Sequence, residues 1–136
     1  MKARHVDLSG AREPHEVLQR IIAVRLAEAI ALEPELATGS KVGLHAFRIA
    51  CKRLRYALER FAALEPPFTK AADCLAALQD ALGDAHDRDV LLAILPPSMA
   101  TTERKLKSER HACVENATRL WSQLEQMMQA LDSHRI

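Results

Sequence analysis

Apolar residues recur along the chain at intervals of three and four positions, which is the period of an amphipathic α-helix. Pro14 suits the first turn of one helix, Ser40 is a candidate N-cap of the next, and Thr69 is a candidate cap of a third. Proline pairs follow the second and third segments and leave only short connections, which favour antiparallel neighbours. The pattern predicts an all-α fold: a four-helix antiparallel bundle with short Pro-rich turns, one domain over residues 1–136, and helices at about 14–32, 40–64, 69–95 and 102–131.

The composition supports a helical core and excludes several classes of protein. Hydrophobic residues make up 49% and charged residues 27%, enough for a buried core, while aromatic residues at 4% are few for an all-β protein. No apolar run approaches the roughly 20 residues that cross a bilayer, and the amino terminus lacks an apolar signal core. The three cysteines have no close-pair spacing, so we expect neither a disulfide framework nor a zinc site. We expect a cytoplasmic protein with no membrane contact.

The charges are distributed unevenly along the chain. The net charge of +1 predicts nothing about partners. Residues 40–64, however, contain six basic residues against Glu59 alone, and residues 65–95 are predominantly acidic. A basic helix followed by an acidic one predicts a cationic surface beside carboxylates.

The basic residues of the second helix lie on one side of it. At about 100° per residue, His45, Arg48, Lys52 and Arg55 fall within a sector of roughly 100° that spans about 15 Å of the axis, and Arg53 flanks it. Cations at these spacings repel one another mildly, which is understandable if an extended anion neutralises them. Arginine binds phosphate oxygens with its planar fork, lysine acts as a point charge, and histidine adds a titratable donor. The alternative is a solvated face, or one that forms salt bridges with the acidic helix.

Two segments of the chain resemble a known family. HAFRIACKRLRYALE, residues 45–59, is similar to the signature helix of CHAD domains, the conserved-histidine α-helical family. LAALQDALGDAHDRDVL, residues 75–91, resembles the next helix of that family, with its Leu-Gln-x-x-Leu-Gly element and acidic cluster. The resemblance implies a helical domain that binds inorganic polyphosphate without catalytic activity or a cofactor, and that is directed to polyphosphate granules. The polyphosphate-binding positions that it implies are His45, Arg48, Lys52, Arg53 and Arg55.

The chain is shorter than the family pattern. CHAD domains usually contain two helical halves whose basic helices face one groove, and this sequence matches one half. We therefore expect a homodimer that rebuilds the groove. The apolar seam of the fourth helix could supply the dimer contact or belong to the internal core.

Several other charged and aromatic side chains each have two interpretations, one structural and one functional. Arg104, Lys107 and Arg110 begin the fourth helix and are either ordinary surface charges or an extension of the groove, and Tyr56 is either a hydrogen-bond donor or a lid on the basic face. The doublet at residues 86–87 lacks the further ligands of a metal-dependent phosphohydrolase, so we expect no metal site and no enzyme. Asp80, Asp84 and Asp87 are either solvated or able to attract a divalent cation together with phosphate. The acidic helix could also hold Arg48 or Arg55 in position through ion pairs from Asp84, Asp87 or Asp89. The alternative function is nucleic-acid binding by the same cationic face, which the scarcity of aromatic residues and the absence of a recognition motif disfavour.

Overall fold

The computed structural model describes residues 2–133, and that range contains helices, turns and an extended amino-terminal segment but no strand. The helices are α1 (Pro14–Leu32), α2 (Pro34–Thr38), α3 (Lys41–Arg60), α4 (Phe68–Ile94) and α5 (Ala100–Ser133). The four long helices form a bundle, which confirms the prediction of an all-α helical bundle.

The helix ends follow local chemistry, with some differences from the sequence expectation. Ser40 caps α3 as predicted, because its Oγ accepts a hydrogen bond of 3.0 Å from the Gly43 N–H. The second long helix ends at Arg60 rather than Leu64, since the Leu64 N–H turns back to the Phe61 carbonyl at 3.0 Å. α4 begins at Phe68 after Pro67 without a side-chain cap, so Thr69 does not have the predicted capping role.

The short helix α2 was not predicted. The sequence pattern predicts no helix between about residues 32 and 40, but proline is favoured at the first position of a helix because its missing N–H needs no partner there. α1 ends at Leu32, and Pro34 starts one further turn and a half. Gly39 ends α2 with a left-handed φ of 69°, a conformation in which glycine carries no Cβ penalty.

The long helices pack in chain order, α1 on α3, α3 on α4 and α4 on α5. α1 and α5 do not pair directly within the described residues, so one side of the bundle is open. An apolar groove of about 380 Å³ runs along that side, lined by residues that include Ile22, Leu26, Phe68, Met128 and Leu131. The bundle therefore places α3 and α4 next to each other in its middle.

The core joins all four long helices. Phe47 of α3 and Trp121 of α5 are fully buried and meet edge to face, with ring centroids 5.1 Å apart. Trp121, Leu124 and Met128 are buried, so this part of the apolar seam of α5 belongs to the internal core. The cysteines are free thiols, and burial raises the pKa of Cys51 and of Cys74, whose Sγ donates to the Leu120 carbonyl. No helix among residues 2–133 has the length and apolar character that crossing a membrane requires.

Candidate anion-binding site

α3 carries all five predicted ligands, and its geometry divides them between two sides. Its core face, made mainly of leucines with Phe47 and Cys51, is buried in the bundle. His45 and Lys52 are exposed, Arg48 and Arg55 are half-buried, and these four residues form what we call the cationic stripe. Arg53 lies on the opposite flank, against α1. The sequence correctly separates the stripe from the core, because both follow from the helical period alone.

Arg48 is anchored on α4 by one end of its guanidinium. Its Nε donates a hydrogen bond of 3.3 Å to the backbone carbonyl of Gln79. The guanidinium also rests on Gly83, where a Cβ would stand 3.4 Å from Nη2. Within residues 2–133 neither terminal nitrogen of Arg48 has a hydrogen-bond or ion-pair partner. The side chain is thus fixed in position while its fork keeps donors for an external acceptor.

Lys52 and Arg55 converge on the ring of Tyr56. Lys52 Nζ lies 5.6 Å from the ring centroid and Arg55 Cζ lies 5.1 Å from it, both within cation–π range. Arg55 also forms an i,i+4 ion pair of 3.3 Å with Glu59. Tyr56 is 49% exposed, so it helps to hold two like charges at the surface. Sequence spacing alone does not reveal this arrangement, because it depends on side-chain direction.

Arg53 faces a buried carboxylate of α1. Arg53 Nη1 lies 3.7 Å from Glu28 Oε2, and Glu28 also accepts hydrogen bonds from Arg25 Nη1 at 2.7 Å and from the Arg4 N–H at 3.0 Å. Burial acts to raise the pKa of Glu28, but these hydrogen bonds and cations outweigh it and hold the pKa below its usual value. Glu28 is therefore an ionised partner that holds Arg53 in place. Sequence reasoning did not identify this role, because Arg4 and Arg53 are each more than 20 residues away from Glu28 along the chain.

A small cleft separates α3 from α4 at the His45 end of the stripe. It holds about 20 Å³ and is lined by Lys41, His45 and Arg48 from α3 and by His86 and Asp89 from α4. His86 is exposed, and it was considered in the sequence only as half of a metal-binding doublet. The structure brings it beside the stripe because the two helices are neighbours.

The expected ion pairs from the acidic helix to Arg48 or Arg55 are not present among the described residues. Asp89 instead pairs with Arg110 of α5, with Nε 2.6 Å from Oδ1. Arg48 donates to a backbone carbonyl and Arg55 pairs with a residue of its own helix. Asp89 pairs with α5 rather than with α3 because its position on α4 faces α5, where its carboxylate is buried.

The second basic cluster separates into different roles. Arg110 is a structural clamp, since besides Asp89 it donates from Nη2 to the Gly39 carbonyl at 2.6 Å. Lys107 forms an exposed ion pair of 3.0 Å with Glu103, and Arg104 is exposed. Asp80, Asp84 and Asp87 are exposed, and residues 2–133 contain no group of three His, Cys, Asp or Glu side chains that could hold a metal ion.

Comparison with known proteins gives one match. A family model described as CHAD domain matches residues 2–96 of the 136. That range contains the stripe, α4 and the amino-terminal segment, and it ends before α5. No curated protein and no solved structure matches the chain.

Proposed function

The chain belongs to the CHAD domain family, and from that premise we propose that it binds inorganic polyphosphate along the cationic stripe. The observation that carries the proposal is the row of His45, Arg48, Lys52 and Arg55 beside α4, in which only Arg55 has an ion pair with a residue of the described range 2–133. A row of about 15 Å at 1.5 Å per residue matches an extended chain of phosphates better than a single phosphate.

The chemistry of each residue fits a repeated anion. Arg48 and Arg55 supply forked donors, and both guanidinium groups are oriented by contacts within the protein, which reduces the entropy lost on binding. Lys52 adds an exposed point charge, and the exposed His45 imidazole adds a ring N–H donor. Arg53 is a flanking member of the site, since it faces α1 and Glu28. Tyr56 shares the surface and stabilises the adjacent cations.

We further propose that the protein is a noncatalytic module, and that polyphosphate binding directs it to polyphosphate granules in the cytoplasm. Purified protein incubated with polyphosphate and magnesium or manganese should release no phosphate above the background. Phosphate release that is lost with the stripe would show an enzyme instead.

The homodimer belongs to the same proposal. With Trp121, Leu124 and Met128 of α5 in the core, an exposed apolar strip at the end of α4 is the stronger candidate for the contact. Val90, Leu91 and Ile94 are 48%, 46% and 73% exposed, and they follow His86 on the helix next to the stripe. Pairing two chains there would bring two stripes together. Arg104 and Lys107 are proposed as a secondary contact for long chains, whereas Arg110 is already engaged with Asp89.

The test compares long-chain polyphosphate binding by the wild type and by Arg48→Gln/Arg55→Gln, at two salt concentrations. We expect each lost contact to lower the affinity for polyphosphate about tenfold or more where the phosphate is desolvated, and less where it is exposed. The affinity of the wild type should also fall steeply as the salt concentration rises. Protein mass measured in parallel gives the number of chains in the complex. Triphosphate should bind weakly because it cannot span the stripe.

The matched control is Lys70→Gln/Arg119→Gln, which removes the same positive charge from exposed sites away from α3. A loss in both double variants would indicate nonspecific attraction, and binding unaffected by the stripe variant would place the site elsewhere. Equal binding of triphosphate and long chains would contradict the extended site. Duplex DNA or RNA that competes as strongly as polyphosphate at fixed ionic strength would favour the nucleic-acid function.

A further inference from the structure

A large cavity lies on the α1 flank of α3, on the other side from α4. It holds about 660 Å³, within the range of small-molecule sites, and lies between α1, α3 and the amino-terminal segment. The segment is tied across α1 by side chains of that helix: Arg25 Nη1 donates to the Arg4 carbonyl at 3.1 Å, and Arg20 Nη1 donates to the Ser9 carbonyl at 2.6 Å. The cavity is therefore a built feature of the fold.

The polar lining of this cavity is strongly cationic. Arg4, Arg25, Arg53 and Arg60 line it together with His5, and its lining includes no carboxylate. Glu28, just outside, pairs with Arg25 and Arg53 at 2.7 Å and 3.7 Å. Among residues 2–133 no ion pair engages the guanidinium of Arg4 or Arg60, and both side chains are exposed. Arg4 and Arg60 therefore bring two positive charges to the cavity that no carboxylate among residues 2–133 pairs with, which a single carboxylate ligand would not neutralise.

The remaining lining is mainly apolar and includes two aromatic rings, those of Tyr56 and Phe61. Leu8 from the amino-terminal segment, Ile21 from α1 and Phe61 at the end of α3 contribute to it. Tyr56 lines the same cavity and is 49% exposed, so its ring is accessible to a flat group. Inorganic polyphosphate offers nothing to such a surface, because it is charged along its whole length.

We propose that this cavity binds a nucleoside di- or triphosphate. The arginines take the phosphate chain, with Arg4 and Arg60 as the groups free to form bidentate contacts, and the apolar wall and Tyr56 take the base and ribose. The combination of several arginines with an apolar wall selects a phosphate chain attached to a flat organic group. The cavity shares Arg53 and Tyr56 with the border of the stripe, but the rest of its lining comes from α1, the amino-terminal segment and the end of α3, and it does not depend on polyphosphate binding.

The experiment uses ATP and inorganic tripolyphosphate as probes in isothermal titration calorimetry with the full chain, without divalent metal. The two probes share a triphosphate and differ in the nucleoside, so we expect ATP to bind about tenfold more tightly or better. Arg4→Gln/Arg60→Gln should weaken ATP binding about tenfold or more. These substitutions spare the backbone N–H and carbonyl through which Arg4 holds the amino-terminal segment.

Two further variants separate this site from the stripe. Leu8→Ser removes an exposed part of the apolar wall, so it should reduce the preference for ATP over tripolyphosphate without changing tripolyphosphate binding. For this purpose the stripe variant is Arg48→Gln, which keeps Tyr56 and its cation–π partners and should leave ATP affinity within about twofold. Arg4→Gln/Arg60→Gln should leave long-chain polyphosphate affinity within about twofold. The charge-matched control is again Lys70→Gln/Arg119→Gln.

The outcomes decide between the sites. Equal affinity for ATP and tripolyphosphate, or ATP affinity unchanged in Arg4→Gln/Arg60→Gln, would overturn the nucleotide site. ATP binding that is lost in the stripe variant would place the nucleotide on the stripe and would also overturn it. Failure of polyphosphate binding alone would overturn the proposed function and leave the nucleotide site standing.

Discussion

The Arg110 guanidinium joins three parts of the fold through two hydrogen bonds of 2.6 Å, from Nε to Asp89 of α4 and from Nη2 to the Gly39 carbonyl before α3. Asp89 is only 8% exposed, so removal of Arg110 leaves a buried carboxylate without its cation. We expect Arg110→Ala to lower the free energy of unfolding by about 2–4 kcal/mol, somewhat less than for a fully buried pair because the Arg110 side chain is 21% exposed. Urea unfolding followed by the fluorescence of the single tryptophan, Trp121, measures the loss.

Lys107→Ala is the matched control, since it removes another cation from the same helix. Lys107 pairs with Glu103 at 3.0 Å, but the two side chains are 64% and 46% exposed, so we expect a change within about 0.5 kcal/mol. Equal destabilisation by both substitutions would contradict the clamp. Sequence analysis grouped Arg110 with Lys107 as one basic cluster because both are cations on one helical segment. Only the packing of α5 against α4 distinguishes them.

At the scale of elements, the Arg48 side chain of α3 packs against α4 at Gly83. A Cβ at Gly83 would lie 3.4 Å from Arg48 Nη2, which is an ordinary contact, and alanine favours a helix by about 1 kcal/mol over glycine. We therefore expect Gly83→Ala to raise the free energy of unfolding by up to about 1 kcal/mol with little change in polyphosphate affinity. Gly83→Leu should displace Arg48 and weaken polyphosphate binding severalfold while the net charge stays the same.

Titration of both variants with long-chain polyphosphate, beside urea unfolding, provides the measurement. The Ala variant is the control for the Leu variant, because it changes the helix backbone preference without filling the space of Arg48. If Gly83→Leu folds and binds as the wild type does, then the anchored position of Arg48 has no role in binding.

The sequence predicts the long helices well because each carries an uninterrupted three-four apolar period, and it places Ser40 correctly because a cap is a local interaction. The sequence prediction is less accurate where one residue can have two structural roles. Pro34 follows the end of one helix and begins another. The turn at Phe61 that ends α3 is made of backbone hydrogen bonds, which no side-chain pattern predicts. The position of Arg48 on α4 depends on helix packing, which the periodicity of one helix does not contain.

At the scale of the whole molecule, α3 divides the charged surface into two. Its α4 side presents the cationic stripe, and its α1 side presents Arg53 toward Glu28 and the large cavity. Sequence analysis placed Arg53 beside the stripe, since a helical projection gives angles but not neighbours. The sequence does not predict the cavity, because Arg4, Arg25 and Arg60 come from separate parts of the chain that only the fold brings together.

The last helix, α5, lies beyond the range of the family match and yet completes the core. It contributes Ala117, Trp121, Leu124 and Met128, all buried, and without it the buried face of α4 and the edge of Phe47 would meet water. We therefore expect a chain ending at Pro97 to lose cooperative thermal unfolding, because loss of one large buried aromatic residue alone costs about 3–5 kcal/mol. Far-UV circular dichroism on heating measures this, since the truncated chain has no tryptophan.

A chain ending at Asp132 is the control, because Asp132 is exposed at the end of α5 and all four of those core residues remain. It should unfold cooperatively, as the full chain does. A chain ending at Pro97 that unfolds cooperatively as a monomer would contradict the expectation that α5 completes the core. If the chain ending at Pro97 unfolds cooperatively only as a dimer, a second chain covers the face of α4 that α5 normally occupies. Either partner would bury the same apolar face of α4.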